Sequence, residues 1–154
     1  WAQEIGAQPL FPFGGPPYLP FQRWAQRAEA VFVSPLGMLV HPDYGLWHAY
    51  RGAIALAEDL ELSPRDTRPS PCETCREKPC LSTCPVTAFS AAGYDVPACA
   101  GHVAAPAGAD CLDLGCRARR ACPLGRDYHY PPAQARYHME AFLAAQLPEA
   151  GSRR

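Results

Sequence analysis

The chain has 154 residues, with 14 Lys and Arg set against 15 Asp and Glu for a formal net charge of -1. That length fits one domain with a modest core, or a small core plus a lobe stapled by a cofactor, and excludes two ordinary domains. The balanced charge lacks both the basic field of a nucleic-acid binder and the acidic excess of a disordered chain, so nucleic acid is not an expected partner.

No run of 18 apolar residues is present, and the first residues lack the basic and apolar pattern of a secretory signal, so no membrane association and a cytoplasmic location are expected. Residues 1–10 start at Trp1 rather than Met and read like the end of a helix, which leads us to expect a further N-terminal portion. Residues 11–21, FPFGGPPYLPF, hold four prolines and two adjacent glycines, which block regular structure and predict an extended, wrapping loop of packed aromatic residues. A short helix is expected over residues 23–30. Strand-like residues 31–33 and 37–40 flank Ser34-Pro35, and His41-Pro42-Asp43-Tyr44-Gly45 is a turn. Residues 46–60 alternate at their start, and we expect a strand there that pairs back on residues 37–40. Residues 63–71, SPRDTRPSP, form a linker. Residues 72–126 have little periodicity and should owe their order to bound metal. Ala135, Met139, Phe142 and Leu143 recur at helical spacing and predict a helix over residues 132–147, followed by a frayed tail over 148–154.

The eight cysteines all fall between Cys72 and Cys122. The first group is Cys72-x2-Cys75-x4-Cys80-x3-Cys84-Pro85, and the second is Cys99, Cys111, Cys116 and Cys122-Pro123. Both end in Cys-Pro and both place four residues between the second and third thiol. The offsets are 36 from Cys75 to Cys111, 36 from Cys80 to Cys116 and 38 from Cys84 to Cys122, a degenerate internal repeat. Bacterial two-cluster ferredoxins carry C-x2-C-x2-C-x3-C-P, whose last Cys ligates the other cluster. This chain resembles that arrangement with a middle gap two residues longer. The resemblance implies Cys72, Cys75, Cys80 and Cys122 on one [4Fe-4S] cluster and Cys84, Cys99, Cys111 and Cys116 on the other. Two zinc tetrathiolates are the competing chemistry, disfavoured by the two Cys-Pro endings and by the x3 gap before the first. Disulfides are disfavoured by the absence of a secretory signal.

The stretch from Ser34 to Tyr128 also resembles the C-terminal, iron–sulfur portion of epoxyqueuosine reductases, a family related to reductive dehalogenases. The resemblance rests on His41-Pro42-Asp43-Tyr44-Gly45 with Arg51-Gly52 and Leu60-Glu61-Leu62, then on Cys72, Cys75, Cys80 and Cys84-Pro85 with Thr87-Ala88. Cys99, Cys111, Cys116 and Cys122-Pro123 complete it. It implies two [4Fe-4S] clusters in a ferredoxin-like lobe, and in that family the lobe feeds electrons to a cobalamin held by an N-terminal domain.

The expected fold is α+β: a small α/β region over residues 1–66, a dicluster ferredoxin-like domain over 67–130, and a C-terminal helix and tail over 131–154. The expected function is electron transfer. A cobalamin-dependent reductase and a zinc-stabilised binding module are the alternatives. No P-loop, dinucleotide fingerprint or nucleophile elbow occurs, so no catalytic residue is assigned. Arg117, Arg119 and Arg120 form a basic patch suited to an acidic redox partner. Phe89, Tyr94 and the C-terminal helix are expected to shield one cluster from water.

Overall fold

The computed structural model describes residues 2–146. The described residues mix short helices with three two-stranded antiparallel sheets. A lone strand pair is marginal in water, so these hairpins depend on what packs against them.

A 3-10 turn at Gln3–Ile5 leads into β1 (Gln8–Leu10), correcting the expectation that residues 1–10 close a helix. The aromatic segment packs in part on itself. Phe11 stacks on Phe13 with centroids 5.4 Å apart, yet Phe13 and Tyr18 remain largely exposed. Helix α1 (Phe21–Ala28) buries Phe21 and Ala25 and ends at Glu29, whose N–H donates to the Ala25 carbonyl. Ala30 and Val31 are buried, and β2 (Phe32–Val33) then pairs with β3 (Leu39–Val40), Phe32 opposite Val40. The loop between them closes by Ser34 N–H donating to Met38 O at 2.8 Å and Gly37 N–H to Ser34 O at 2.9 Å. The expected turn follows, with His41 and Gly45 exchanging backbone hydrogen bonds at 2.8 and 2.9 Å.

The strand expected over residues 46–60 does not form as such. The edge of β3 it was to occupy is used by β2, and only β4 (Ala53–Ala55) is extended, pairing with β1 instead. The reason is tertiary: the aromatic residues of 44–50 pack on residues 124–130. Tyr44 meets Tyr128 edge-on at 5.0 Å, and Trp47 lies 4.5 Å from the His129 ring. Arg119 locks the same segment. Its guanidinium donates twice to the Leu46 carbonyl, at 3.0 and 2.6 Å, and sits 4.1 Å over the Trp47 ring and 4.9 Å from that of Tyr130.

The linker has no regular structure over residues 63–70, its last residue Pro71 opening the next helix, and it is pinned. Arg68 forks onto Asp43 at 2.7 and 2.8 Å and reaches Asp66 at 2.7 Å, which holds both carboxyls below the usual range.

Beyond it, order comes in short elements: α2 (Pro71–Thr74), α3 (Pro79–Ser82), the hairpin of β5 (Phe89–Ser90) and β6 (Gly93–Tyr94), α4 (Val96–Ala104), α5 (Ala109–Leu114) and α6 (Arg117–Arg120). Prolines at the first turns of α2, α3 and α4 cost no hydrogen bond there, because those N–H groups have no intrahelical acceptor. Asp95 caps α4, its carboxylate accepting from Ala98 N–H at 2.9 Å. Helix α7 (Pro132–Gln146) forms as expected and lies on α4 and α5. Leu147 and the tail expected to fray, 148–154, lie outside the described residues. One core of Leu36, Val40, Leu46, Phe89 and Ala118 spans both sides of the linker, and Cys72, Cys80, Cys84, Cys116 and Cys122 pack directly on it.

Candidate metal centre

The sequence repeat has a structural counterpart. Cys80 lies in α3 and Cys84 follows that single turn, while Cys116 opens α6 and Cys122 follows it, and α3 packs on α6. Each short helix thus hands its trailing Cys-Pro toward the other segment.

Two cavities result. The larger, about 210 Å³, is lined by Cys72, Cys75, Cys80 and Cys122, with Leu36, Val40, Leu46 and Leu124 as apolar wall. The smaller, about 20 Å³, is lined by Cys84, Cys99, Cys111 and Cys116, with Phe89, Val103 and Met139 around them. The thiols therefore sort across the two sequence groups, Cys122 with the first three and Cys84 with the last three. All eight are free.

Electrostatics follow this sorting. Burial pushes the Cys72 thiol up, and neighbouring Cys122, Cys80 and Cys75 add to it. Burial likewise raises Cys80, with Cys122 and Cys75 adding and the backbone N–H groups of Cys80 and Leu81 opposing. In the second set burial raises Cys116 against hydrogen bonds from the backbone of Arg119 and Ala118. Cys99 is also raised by burial, while a hydrogen bond from Tyr94 pulls the other way. Ala88 N–H points at the Cys84 sulfur at 3.3 Å. Thiols this crowded resist ionising together unless a cation joins them, and amides aimed at sulfur favour the thiolate once it forms.

The donor set in each cavity, four thiols with N–H groups directed at sulfur, fits an iron–sulfur cubane, which takes one thiolate per iron. A single zinc ion would need its four sulfurs about 2.3 Å from one point. Among the described residues no group of three or more His, Cys, Asp or Glu is gathered closely enough to hold a metal ion directly.

The other sequence candidates fall as follows. His102 lines the second cavity. His41 accepts from the N–H groups of Asp43 and Tyr44 and so shapes its own turn. Arg119 is committed to Leu46, and Arg120 is paired with Asp110 and bonded to the Gly115 carbonyl. Arg117 lies 3.5 Å from Asp110. Each of the three arginines thus has a partner within the chain, and Arg117 stays half-exposed. Small residues such as Ser82, Thr83, Gly115 and Ala121 suggest close amides in the sequence, but the N–H groups that serve the sulfurs belong to Cys80, Leu81, Ala88, Ala118 and Arg119, because backbone direction is not written in residue type. Phe89 and Met139 do line the second cavity, as expected of a shield.

Comparison with known protein families, curated proteins and solved structures finds no match.

Proposed function

We propose that this chain carries electrons through two [4Fe-4S] clusters in a ferredoxin-like lobe. Cys72, Cys75, Cys80 and Cys122 hold one, and Cys84, Cys99, Cys111 and Cys116 hold the other. The observation that carries the reading is the exchange of Cys84 and Cys122 between the two sequence groups, an arrangement shared with two-cluster ferredoxins. When bound, each cluster supplies a one-electron couple. The chain's own part is to fix the thiolates, direct N–H groups at sulfur and surround the set with apolar side chains, all of which tune potential.

The partners are a one-electron donor and acceptor. The first cavity, walled by the Ser34–Leu36 loop and the α2–α3 turn with Lys78, offers the more open approach. No helix among the described residues is long and apolar enough to cross a membrane, and eight free thiols suit the reducing cytoplasm.

The test is anaerobic purification followed by iron, acid-labile sulfide, zinc and cobalt per chain, with a visible spectrum. About eight iron and eight sulfide with a broad band near 400 nm are expected of two cubanes. Two zinc ions and no colour would replace the reading with a zinc-stabilised module. Cobalt beside iron would make the chain part of a corrinoid reductase.

A further inference from the structure

Among the described residues, two that are not glycine have left-handed backbones, and both stand beside thiols: Lys78, φ +40°, shortly before Cys80, and Thr87, φ +50°, shortly after Cys84. A β-branched side chain rarely takes this conformation, so Thr87 is held in it by its surroundings. Its own N–H donates to the Cys84 carbonyl at 3.2 Å, closing a turn over Pro85 and Val86. A right-handed Thr87 would continue that turn and send the next N–H to the same carbonyl. The left-handed backbone turns it aside, and the Ala88 N–H donates to the Cys84 sulfur at 3.3 Å instead. The far side of Ala88 is fixed as well: the residue is buried, and its carbonyl accepts from Asp95 N–H at 2.8 Å. The Asp95 carboxylate in turn caps α4, the helix that carries Cys99. Donor, sulfur and a second thiol of the same set therefore share one hydrogen-bonded frame.

We infer that Thr87 is a positioning residue for the second cluster: its left-handed backbone aims the Ala88 N–H at the Cys84 sulfur and so raises that cluster's reduction potential. The inference rests on the cluster reading above. Reduction adds one electron to a cluster whose thiolates already carry negative charge, and no bond to the protein forms or breaks. A donor aimed at sulfur stabilises the reduced form more than the oxidised one. The backbone does this, not the threonine hydroxyl. Glycine, which adopts positive φ freely, therefore serves as well, whereas proline, whose ring fixes φ at about −65°, does not.

The experiment is a redox titration of the purified holoprotein with dithionite, followed by electron paramagnetic resonance, after iron and sulfide have been counted. Thr87→Gly keeps the left-handed turn, and both clusters keep their wild-type potentials. Replacing Ala88 by its α-hydroxy analogue exchanges that one N–H for an ester oxygen. The one-electron reduction constant of one cluster then falls about tenfold, 59 mV, and the other stays unchanged. Thr87→Pro lowers the same cluster. Where one of these last two substitutions loses iron, the other decides against Thr87→Gly. An unchanged potential in either of them, equal shifts in both clusters, or a fall in Thr87→Gly that matches the ester overturns the role of Thr87 and leaves the cluster reading standing. A chain without iron and sulfide overturns the cluster reading itself, and this inference with it.

Discussion

Two glycines meet back to back where the His41–Gly45 turn touches the loop after Cys122. Both have left-handed backbones, φ +58° at Gly45 and +67° at Gly125. A Cβ on Gly45 would sit 2.4 Å from the Leu124 carbonyl oxygen and 2.7 Å from its carbon, and one on Gly125 would sit 2.2 Å from the Tyr44 oxygen. Alanine at Gly45 therefore carries two costs: about 1–2 kcal/mol for the left-handed conformation and about 1–3 kcal/mol for prising two backbones apart. Gly37 is the control, because its φ is +76° but nothing lies within 4 Å of its missing Cβ, so Gly37→Ala carries only the first cost. At about 2–4 °C per kcal/mol for a chain of this size, Gly45→Ala should melt roughly 2–12 °C below Gly37→Ala in thermal unfolding of the holoprotein followed by circular dichroism. The double variant Gly45→Ala, Gly125→Ala should lose less than the sum of the singles, since one alanine already opens the contact that the other would strain. Iron should fall as well, because the displaced loop carries Cys122. If Gly45→Ala melts with Gly37→Ala, the close approach of these two loops is not what holds the turn, and the reasoning fails.

Further predictions concern the thiols, Arg119 and the histidines. Substituting Cys80 or Cys122 by Ser should abolish one cluster and leave about half the iron, whereas full iron in either variant would sink that ligand assignment. Arg119→Lys keeps the charge but loses the fork onto the Leu46 carbonyl and the stacking on Trp47, so a loss of about 1–3 kcal/mol is expected in denaturant unfolding. Wild-type stability would contradict it. Burial pushes His48 and His129 below the ordinary value of 6.5, so the unfolded chain binds protons more readily than the folded one. Their contribution is present above pH 6.5 and declines as pH falls below it. The melting temperature should drop from pH 7 toward 5, and less steeply in His48→Gln, His129→Gln, with equal slopes refuting it.

Elements set by short-range chemistry were legible before the structure was seen. The strands β2 and β3 followed from apolar runs on either side of Ser34-Pro35, although their pairing with each other did not, and α7 followed from the helical spacing of Ala135, Met139 and Phe142. In residues 46–60 the alternation suggests a ladder, whereas the Trp47 ring is spent on His129 and Tyr130, some 80 residues on. No local pattern records such a contact. The membership of each thiol set was likewise beyond spacing alone. Two groups that share one internal gap and a Cys-Pro ending are compatible with closure within each group or exchange between them, and resemblance to a ferredoxin pointed to exchange. The arginine patch shows another limit: spacing places three cations side by side but does not record that Asp110, Gly115 and Leu46 partner them.

The two thiol sets are also nested along the chain, Cys84 to Cys116 lying inside Cys72 to Cys122. A chain emerging from synthesis completes the inner set six residues before the outer one. Gathering the inner set first shortens the loop that must close between Cys80 and Cys122 from 42 residues to about 10, which lowers its closure cost by about 1.3 kcal/mol. The order of assembly is therefore written into the interleaving: the outer set is cheapest to close last, and a chain truncated before Cys122 can still gather the inner four.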